Sequence, residues 1–425
     1  MAGGVNPGRV AAGRVLMACD AGRHADLELR RRAPEAPDDR ALAWHLVYGV
    51  LRHRGELDAL IRSVSGRRLK KIDPPALTAL RLGLYELRYA RTRPHAAVDQ
   101  AVRLTARLGG ARARNFVNAV LRRSQAAEAV APTATVNHPD WLVDRWTARL
   151  GPEGAATWCA ANDREAPLSL VARDDPEGVA AALRAGGVSV RPGEAGGEPV
   201  PGCWLIDDHR GSPTSLPGFS EGAWWVMDPA AAATADWLQI QPGERALDVC
   251  AAPGGKSLRM AAAGAEVVAT DRSPERLERL SENAARVGRD GLSIRAAAVD
   301  WLEADDDAIT SAVGAEPFDA VLVDAPCTGL GTLRRHPEIR WRRLPTDPAA
   351  MALRQLPILE RAAERVKPGG RLVYAVCSAE PEEGAEVVQA FLEDTAGFTL
   401  EAALELAPPS GDEDAFYAAR LRRDP

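Results

Sequence analysis

Two cysteines each follow a predicted strand, Cys327 in Asp324-Ala-Pro-Cys327 and Cys377 in Val373-Tyr-Ala-Val-Cys377-Ser378. Both lie downstream of a glycine loop, Cys250-Ala-Ala-Pro-Gly-Gly-Lys256. Open α/β sheets bind ligands beyond the carboxyl ends of their strands, so the loop, Asp324 and the two thiols are expected to converge on one crevice. The chemistry that uses such thiols is conjugate addition: a thiolate adds to C6 of a pyrimidine, C5 becomes nucleophilic, and a nearby electrophile is captured. Asp324 would hold the proton shared with N3 as charge develops on the ring. A second thiol, or another base, is then needed to remove the C5 proton and release the enzyme. A lone cysteine in such a sheet is most often a small buried hydrophobe. Two of them beyond strand ends, one after Asp-Ala-Pro and one before Ser378, do not fit that role.

The glycine loop narrows what else binds. It follows a strand containing Asp248 and opens a helix, so the backbone N–H groups of Cys250, Ala251, Ala252, Gly254 and Gly255 can face a ligand, with Pro253 shaping the turn. A P-loop would need glycine where Cys250 stands, and G-x-G-x-x-G is absent. Asp271, 23 residues after Asp248, ends the next strand and suits ribose hydroxyls; Asp300 ends the third and suits an adenine edge. With Arg276 on the following helix and Lys256 the one lysine of the loop, the pocket fits an adenosine cofactor without phosphates. Glycines that merely close a tight turn would explain the loop alone, but not the acids at the ends of two further strands.

These groups need a scaffold. From Trp237 onward strand and helix alternate. Strands are predicted at 245–249, 266–270, 293–299, 318–323 and 371–376, with helices near 257–263, 274–287, 348–366 and 381–391, which implies a parallel sheet covered on both faces. Residues 415–421 read as an antiparallel edge strand. Residues 8–125 are helical throughout: Leu77, Leu80, Leu84 and Leu87 recur at helical spacing behind the start signal Asp73-Pro74-Pro75, and further helices are predicted around 40–54, 96–108 and 112–123. Between them, residues 126–225 read as a linker ending in Asn137-His138-Pro139, a short helix carrying Trp141, Trp146 and Leu150, and a small α+β subdomain. The fold class is therefore multi-domain: an all-α domain (8–125), a linker with the small α+β subdomain (126–225), and a Rossmann-like α/β domain (226–425).

Composition agrees with this division. A chain of 425 residues, 46% hydrophobic, supports more than one core. No stretch is long and apolar enough for a signal or a span, and Cys19, Cys159, Cys203, Cys250, Cys327 and Cys377 form no C-x-x-C pair. A cytoplasmic protein with free thiols, no membrane partner and no metal is expected. Residues 1–150 hold 26 Lys+Arg against 14 Asp+Glu, net +12, while the remainder holds 27 against 45, net −18. That asymmetry points to a basic arm meeting a polyanion, although charge runs are usually solvated faces. After Cys327, the run Arg334, Arg335, His336, Arg340, Trp341, Arg342 and Arg343 has the mixture that pairs phosphates and stacks a base.

Taken together, CAAPGGK, DAPCTGLGTLRRHPEIRW and AVCSAEPEEG closely resemble the motifs of bacterial ribosomal RNA cytosine-C5 methyltransferases of the Sun/RsmB type. RLGLYELRY, HAAVDQAV and NFVNAVLRR resemble that family's N-terminal domain, which is related to the antitermination factor NusB. The likeness spans nearly the whole chain. It implies S-adenosylmethionine as cofactor, lined by Cys250–Lys256, Asp271, Asp300 and Asp324. It also implies that Cys377 is the nucleophile and that Cys327 assists product release, with a cytosine of small-subunit rRNA as target; a monomer is expected. The same reaction on tRNA or another RNA, or a non-catalytic RNA-binding or assembly factor, are the alternatives; a binding factor has no need of two thiols and Asp324. Three positions depart from the family pattern: Val376 replaces threonine, Gly384 replaces asparagine, and Gly411-Asp-Glu-Asp-Ala-Phe416 replaces Gly-Asp-Gly-Phe-Phe. None removes a reacting atom.

Overall fold

The computed structural model describes residues 4–90, 92–126, 133–207, 211–288, 291–407 and 411–425. The chain forms two compact units, one of residues 1–165 with 333–344, the other of residues 166–332 with 345–425. This differs from the three-part division expected: the helical unit runs on to Glu165 and takes in a segment from beyond Cys327.

The helical unit contains Pro7–Asp20, Ala25–Arg32, Pro37–Arg52, Arg54–Ser65, Pro74–Arg88, Pro94–Arg107, Arg114–Ala126 and Asp140–Asn162. Four of these begin with proline in the first turn, where its missing N–H is no loss. Asp73 precedes its helix as expected, although its carboxylate makes no capping bond. Leu80 and Leu84 are fully buried beside Leu46, Val50, Leu57, Ile61 and Leu121. Arg81, interleaved with those leucines, is also buried. Its guanidinium takes both oxygens of Asp58 at 2.7 and 2.9 Å and one of Asp20 at 2.9 Å. The expected short helix at Trp141 is longer, and it breaks at Gly151-Pro152, where Gly151 is non-helical.

The second unit contains two sheets. β1 (Leu168–Ala172), β2 (Val190–Ala195), β3 (Glu198–Ile206) and β4 (Trp224–Val226) form an antiparallel sheet in the order β2-β3-β1-β4. The larger sheet contains β5 (Arg245–Val249), β6 (Glu266–Asp271), β7 (Ile294–Ala298), β8 (Phe318–Asp324), β9 (Val366–Val376), β10 (Phe398–Leu406) and β11 (Phe416–Arg423), in the order β10-β11-β9-β8-β5-β6-β7. The five strands from β9 to β7 are parallel. The chain builds outward from β5 to β7, then returns to place β8 on the other side of β5, so the order reverses between β5 and β8. Such a reversal opens the crevice where Rossmann-like sheets bind ligands.

One strand expectation is corrected. β11 is antiparallel, as expected, but it is not the edge: it pairs with β9 on one side and β10 on the other. β10 carries Leu404 and Leu406 against the core of the second unit, with Thr399, Leu400 and Glu401 exposed, and its Ala/Leu/Glu sequence gives little local sign of a strand.

Candidate active site

The site is built from the carboxyl ends of β5, β6, β8 and β9. Asp248 is fully buried in β5, and its Oδ2 accepts a hydrogen bond from the Ser257 hydroxyl at 2.5 Å. Burial pushes its carboxyl up to about 7, and Oδ1 has no hydrogen-bond partner among the described residues. The chain then turns sharply. Cys250 takes a left-handed φ of 63° and Gly254 one of 102°. At Gly254 a Cβ would also meet Leu280 Cγ at 2.7 Å, so both backbone and packing require glycine. Ala251 N–H is spent on the Thr270 carbonyl at 2.7 Å, which ties the loop to β6.

Asp271, 2% exposed, accepts from Ala252 N–H at 3.3 Å and Ser273 N–H at 2.9 Å. Arg276 lies across it, 3.1 Å from Oδ2, and also bonds the Ala252 carbonyl. Asp300 follows β7 and holds the next turn through Leu302 N–H at 3.1 Å. Paired strands thus set acids at successive ends around a loop of turned backbone. The orphaned Oδ1 of Asp248 is an acceptor that a bound donor would satisfy. The donor set is acidic and carries no phosphate-binding array, and it fits an adenosine-type cofactor.

On the other side of the crevice, Lys256 Nζ sits 2.7 Å from Asp324 Oδ2. Burial opposes the lysine charge, but Asp324, with further help from Asp248 and Cys377, more than offsets it and holds the ammonium above its usual range. The Cys327 and Cys377 sulfurs are 3.3 Å apart, and neither is in a disulfide. The bond to Cys377, burial, and the charges of Cys377 and Glu383 raise the Cys327 thiol well above its ordinary value.

The two thiol loops are joined through Gly331. Its N–H donates to the Cys377 carbonyl at 3.0 Å, and its carbonyl accepts from Ala415 N–H at 3.0 Å. A Cβ there would lie 2.0 Å from the Ala415 carbonyl oxygen. The divergent 411–416 segment is anchored nearby: Asp412 pairs with Arg191 at 2.5 Å, Glu413 accepts from Gly196 N–H at 3.3 Å, and Asp414 N–H donates to Asp228. Gly384, where the family pattern has asparagine, lies against the Tyr417 ring, which a Cβ would meet at 2.8 Å.

Residues 7–126 match the NusB family, and residues 235–422 match the family described as 16S rRNA methyltransferase RsmB/F. A ribosomal RNA small subunit methyltransferase B of Pseudomonas putida is 34% identical over 98% of this chain and 98% of its own. The chain belongs to the RsmB/F family. A second relative of the same name, from Thermus thermophilus, is 36% identical over 98% of this chain and 97% of its own. Among solved structures, PH0851 shares the fold over 98% of this chain and 99% of its own, with a TM-score of 0.79 at 24% identity. A methyltransferase homolog protein from Pyrococcus horikoshii covers 66% of this chain and 93% of its own, with a TM-score of 0.55 at 25% identity. This RsmB/F chain is thus a methyltransferase with the S-adenosylmethionine-dependent fold and a NusB-type helical domain.

Not every expected RNA contact in this family member is available. Arg340 is fully buried in the helical unit, with Asp163 at 2.6 Å and the carbonyls of Asn162 and Asn137 at 2.8 and 3.2 Å. Arg334 is buried too, and its carbonyl accepts from Arg52 at 2.8 Å. Trp341 donates to the Leu51 carbonyl at 3.2 Å beneath the Arg54 guanidinium. Arg334 and Arg340 therefore fix this segment within the helical unit rather than presenting an RNA-facing surface; Arg335 and His336 are half-buried. His24, Asp26 and Glu338 of the same unit bring potential metal-ligand atoms within 4.8 Å, but the Arg342 guanidinium already lies on His24 at 2.8 and 3.1 Å.

A basic surface that the motif reading missed lies elsewhere on the helical unit. Arg62, Arg67, Arg68, Lys70 and Lys71 are exposed at the end of one helix and its following turn, and Arg112 and Arg114 are exposed at the start of another. Arg67 bridges the two groups, 4.6 Å over the Phe116 ring. The signal was the run Arg-Arg-Leu-Lys-Lys at 67–71. Among the described residues, no helix is long and apolar enough to cross a membrane.

Proposed function

We propose that this protein methylates C5 of a cytosine in small-subunit ribosomal RNA, with S-adenosylmethionine as the methyl donor and Cys377 as the covalent nucleophile. The observation that carries this reading is the pairing of two thiols at 3.3 Å beside a half-buried lysine–aspartate pair at 2.7 Å, all beyond the carboxyl ends of adjacent strands. The names of the curated relatives support rRNA as the substrate.

Cys377 attacks C6 as a thiolate, and the proton held between Lys256 and Asp324 is shared with N3 through Asp324 as charge develops on the ring, returning when the C6–S bond breaks. Lys256 orients Asp324 and balances its charge. Cys250–Lys256, Asp271, Asp300, Asp324 and Arg276 would hold the cofactor, whose chemistry is to offer an electrophilic methyl group to C5. The C5 proton then leaves to a base, the C5–H electron pair rebuilds the C5–C6 double bond, and the C6–S bond breaks with Cys327 assisting. The target base must be unstacked before Cys377 can reach C6. Exposed cations of the helical unit, Arg67, Arg68, Lys70 and Lys71 among them, would contact the RNA backbone.

The test is methyl transfer from labelled S-adenosylmethionine to naked small-subunit rRNA, tRNA and DNA in parallel, with the product base identified. The reading expects 5-methylcytosine in rRNA. Label confined to tRNA would move the address, and label on a base other than C5 of cytosine would refute the chemistry.

A further inference from the structure

The loops that carry the two thiols meet on one buried carboxylate, Glu383, which is fully shielded from solvent. Its Oε1 accepts from the backbone N–H of Thr328 at 2.6 Å and from Gln355 Nε2 at 3.3 Å. Its Oε2 accepts from the Thr328 hydroxyl at 2.5 Å and the Ser378 hydroxyl at 2.7 Å. Thr328 directly follows Cys327, and Ser378 directly follows Cys377. Gln355 also donates to the Pro326 carbonyl at 3.0 Å, and the Tyr374 hydroxyl holds the Glu383 carbonyl at 2.6 Å. One side chain therefore fastens the residue after each sulfur.

Removing a carboxylate from water is expensive, and four donors offset that expense here. Structural need alone does not call for a charge. Two loops can be joined by apolar packing at no desolvation penalty, so a buried anion next to two sulfurs is notable for what its charge does to them.

We propose that Glu383 is the positioning residue that assigns the two sulfurs separate tasks: by fastening Thr328 and Ser378 it fixes their loops in register and holds the Cys327 S–H against the Cys377 sulfur, leaving Cys377 to attack. This rests on the C5 reading above. In the release step the C5 proton passes to a solvent water, and the C5–H electron pair rebuilds the C5–C6 double bond. The C6–S bond breaks with its pair on the Cys377 sulfur, and the Cys327 S–H, held 3.3 Å away before attack, hydrogen-bonds that sulfur as it departs. Glu383 acts through Thr328 and Ser378, the residues that follow the two sulfurs.

The experiment compares wild type, Cys327→Ala and Glu383→Gln for S-adenosylmethionine binding, turnover on rRNA, and covalent protein–RNA complex formed with ordinary cytosine. Glu383→Gln keeps shape and removes charge. It is expected to bind cofactor within about twofold of wild type, to lose turnover by roughly 10²-fold, and to accumulate covalent complex as Cys327→Ala does, because attack survives and release fails. A purely structural role would weaken attack and release together and give no such accumulation. Thr328→Val and Ser378→Ala, which each withdraw one hydroxyl from Glu383, carry the same test if Glu383→Gln does not fold. Turnover near wild type in all three, or loss of turnover without trapped complex, overturns the inference. Absence of 5-methylcytosine from the wild-type reaction would instead overturn the C5 reading itself.

Discussion

The Lys256 ammonium and the Asp324 carboxylate are 2.7 Å apart at the mouth of the β5/β8 crevice, one from the glycine loop and one from the end of the neighbouring strand. The pair couples the glycine loop to the acid at the end of β8. Asp324→Asn keeps shape but leaves the buried ammonium without its counter-charge and N3 without an acid partner. Turnover should fall by roughly 10² to 10³-fold, with a smaller loss in cofactor affinity. Steady-state kinetics and calorimetric titration check this, and loss confined to cofactor binding would contradict it.

Cys327 governs release in this account. Cys327→Ala should still attack the base, so denaturing gels should show a covalent RNA–protein band with unmodified cytosine, while multiple turnover falls at least about tenfold. Full turnover would remove Cys327 from the mechanism.

Asp248 gives a pH signature in stability. Its folded-state value of about 7 lies above the ordinary 3.8, because burial disfavours the charged form. The native state therefore holds a proton that the unfolded state has lost. Stability from this group is fully present below about pH 4 and declines through about pH 7, by at most about 1.4 kcal/mol per pH unit. Asp248→Asn removes that dependence. Thermal melts from pH 5 to 8 should show wild type losing ground to the variant as pH rises, and parallel curves would contradict the burial argument.

Gly331→Ala places a Cβ against the Ala415 carbonyl at 2.0 Å, with the Cys377 carbonyl at 2.9 Å. Overpacking of this kind typically costs about 1–3 kcal/mol, and here backbone must move. Lower melting temperature together with loss of methyl transfer is expected, since the displaced loops carry both thiols.

For RNA, replacing Arg67, Arg68, Lys70 and Lys71 by glutamate should weaken binding and flatten its salt dependence, by about 0.7 in log–log slope per lost single-strand phosphate contact. Arg340→Glu should instead destabilise the helical unit, because Arg340 is buried on Asp163. Filter binding at several salt concentrations, with melting curves, separates the two effects.

The motifs made the candidate site legible because each of its residues sits within a few positions of a strand end, and strand ends follow from apolar runs. Asp248, Asp271, Asp324, Cys327 and Cys377 were all locatable in that way. What escaped depends on partners distant in sequence. Arg340 reads as an RNA-facing cation until Asn137, Asn162 and Asp163 are seen around it. Glu383 reads as one acid in an acidic stretch until Thr328, 55 residues earlier, is found on both its oxygens. β10 was missed because its Ala, Leu and Glu residues favour helix locally, and only pairing with β11 makes it a strand.

The most direct test of the account is to react the wild-type protein with S-adenosylmethionine and rRNA containing 5-fluorocytosine, which blocks proton loss at C5, and to map the trapped peptide by mass spectrometry. The account predicts a methylated nucleotide bonded to the Cys377 sulfur, with no adduct in Cys377→Ala. An adduct on Cys327, or methylation of ordinary cytosine by Cys377→Ala, would contradict it.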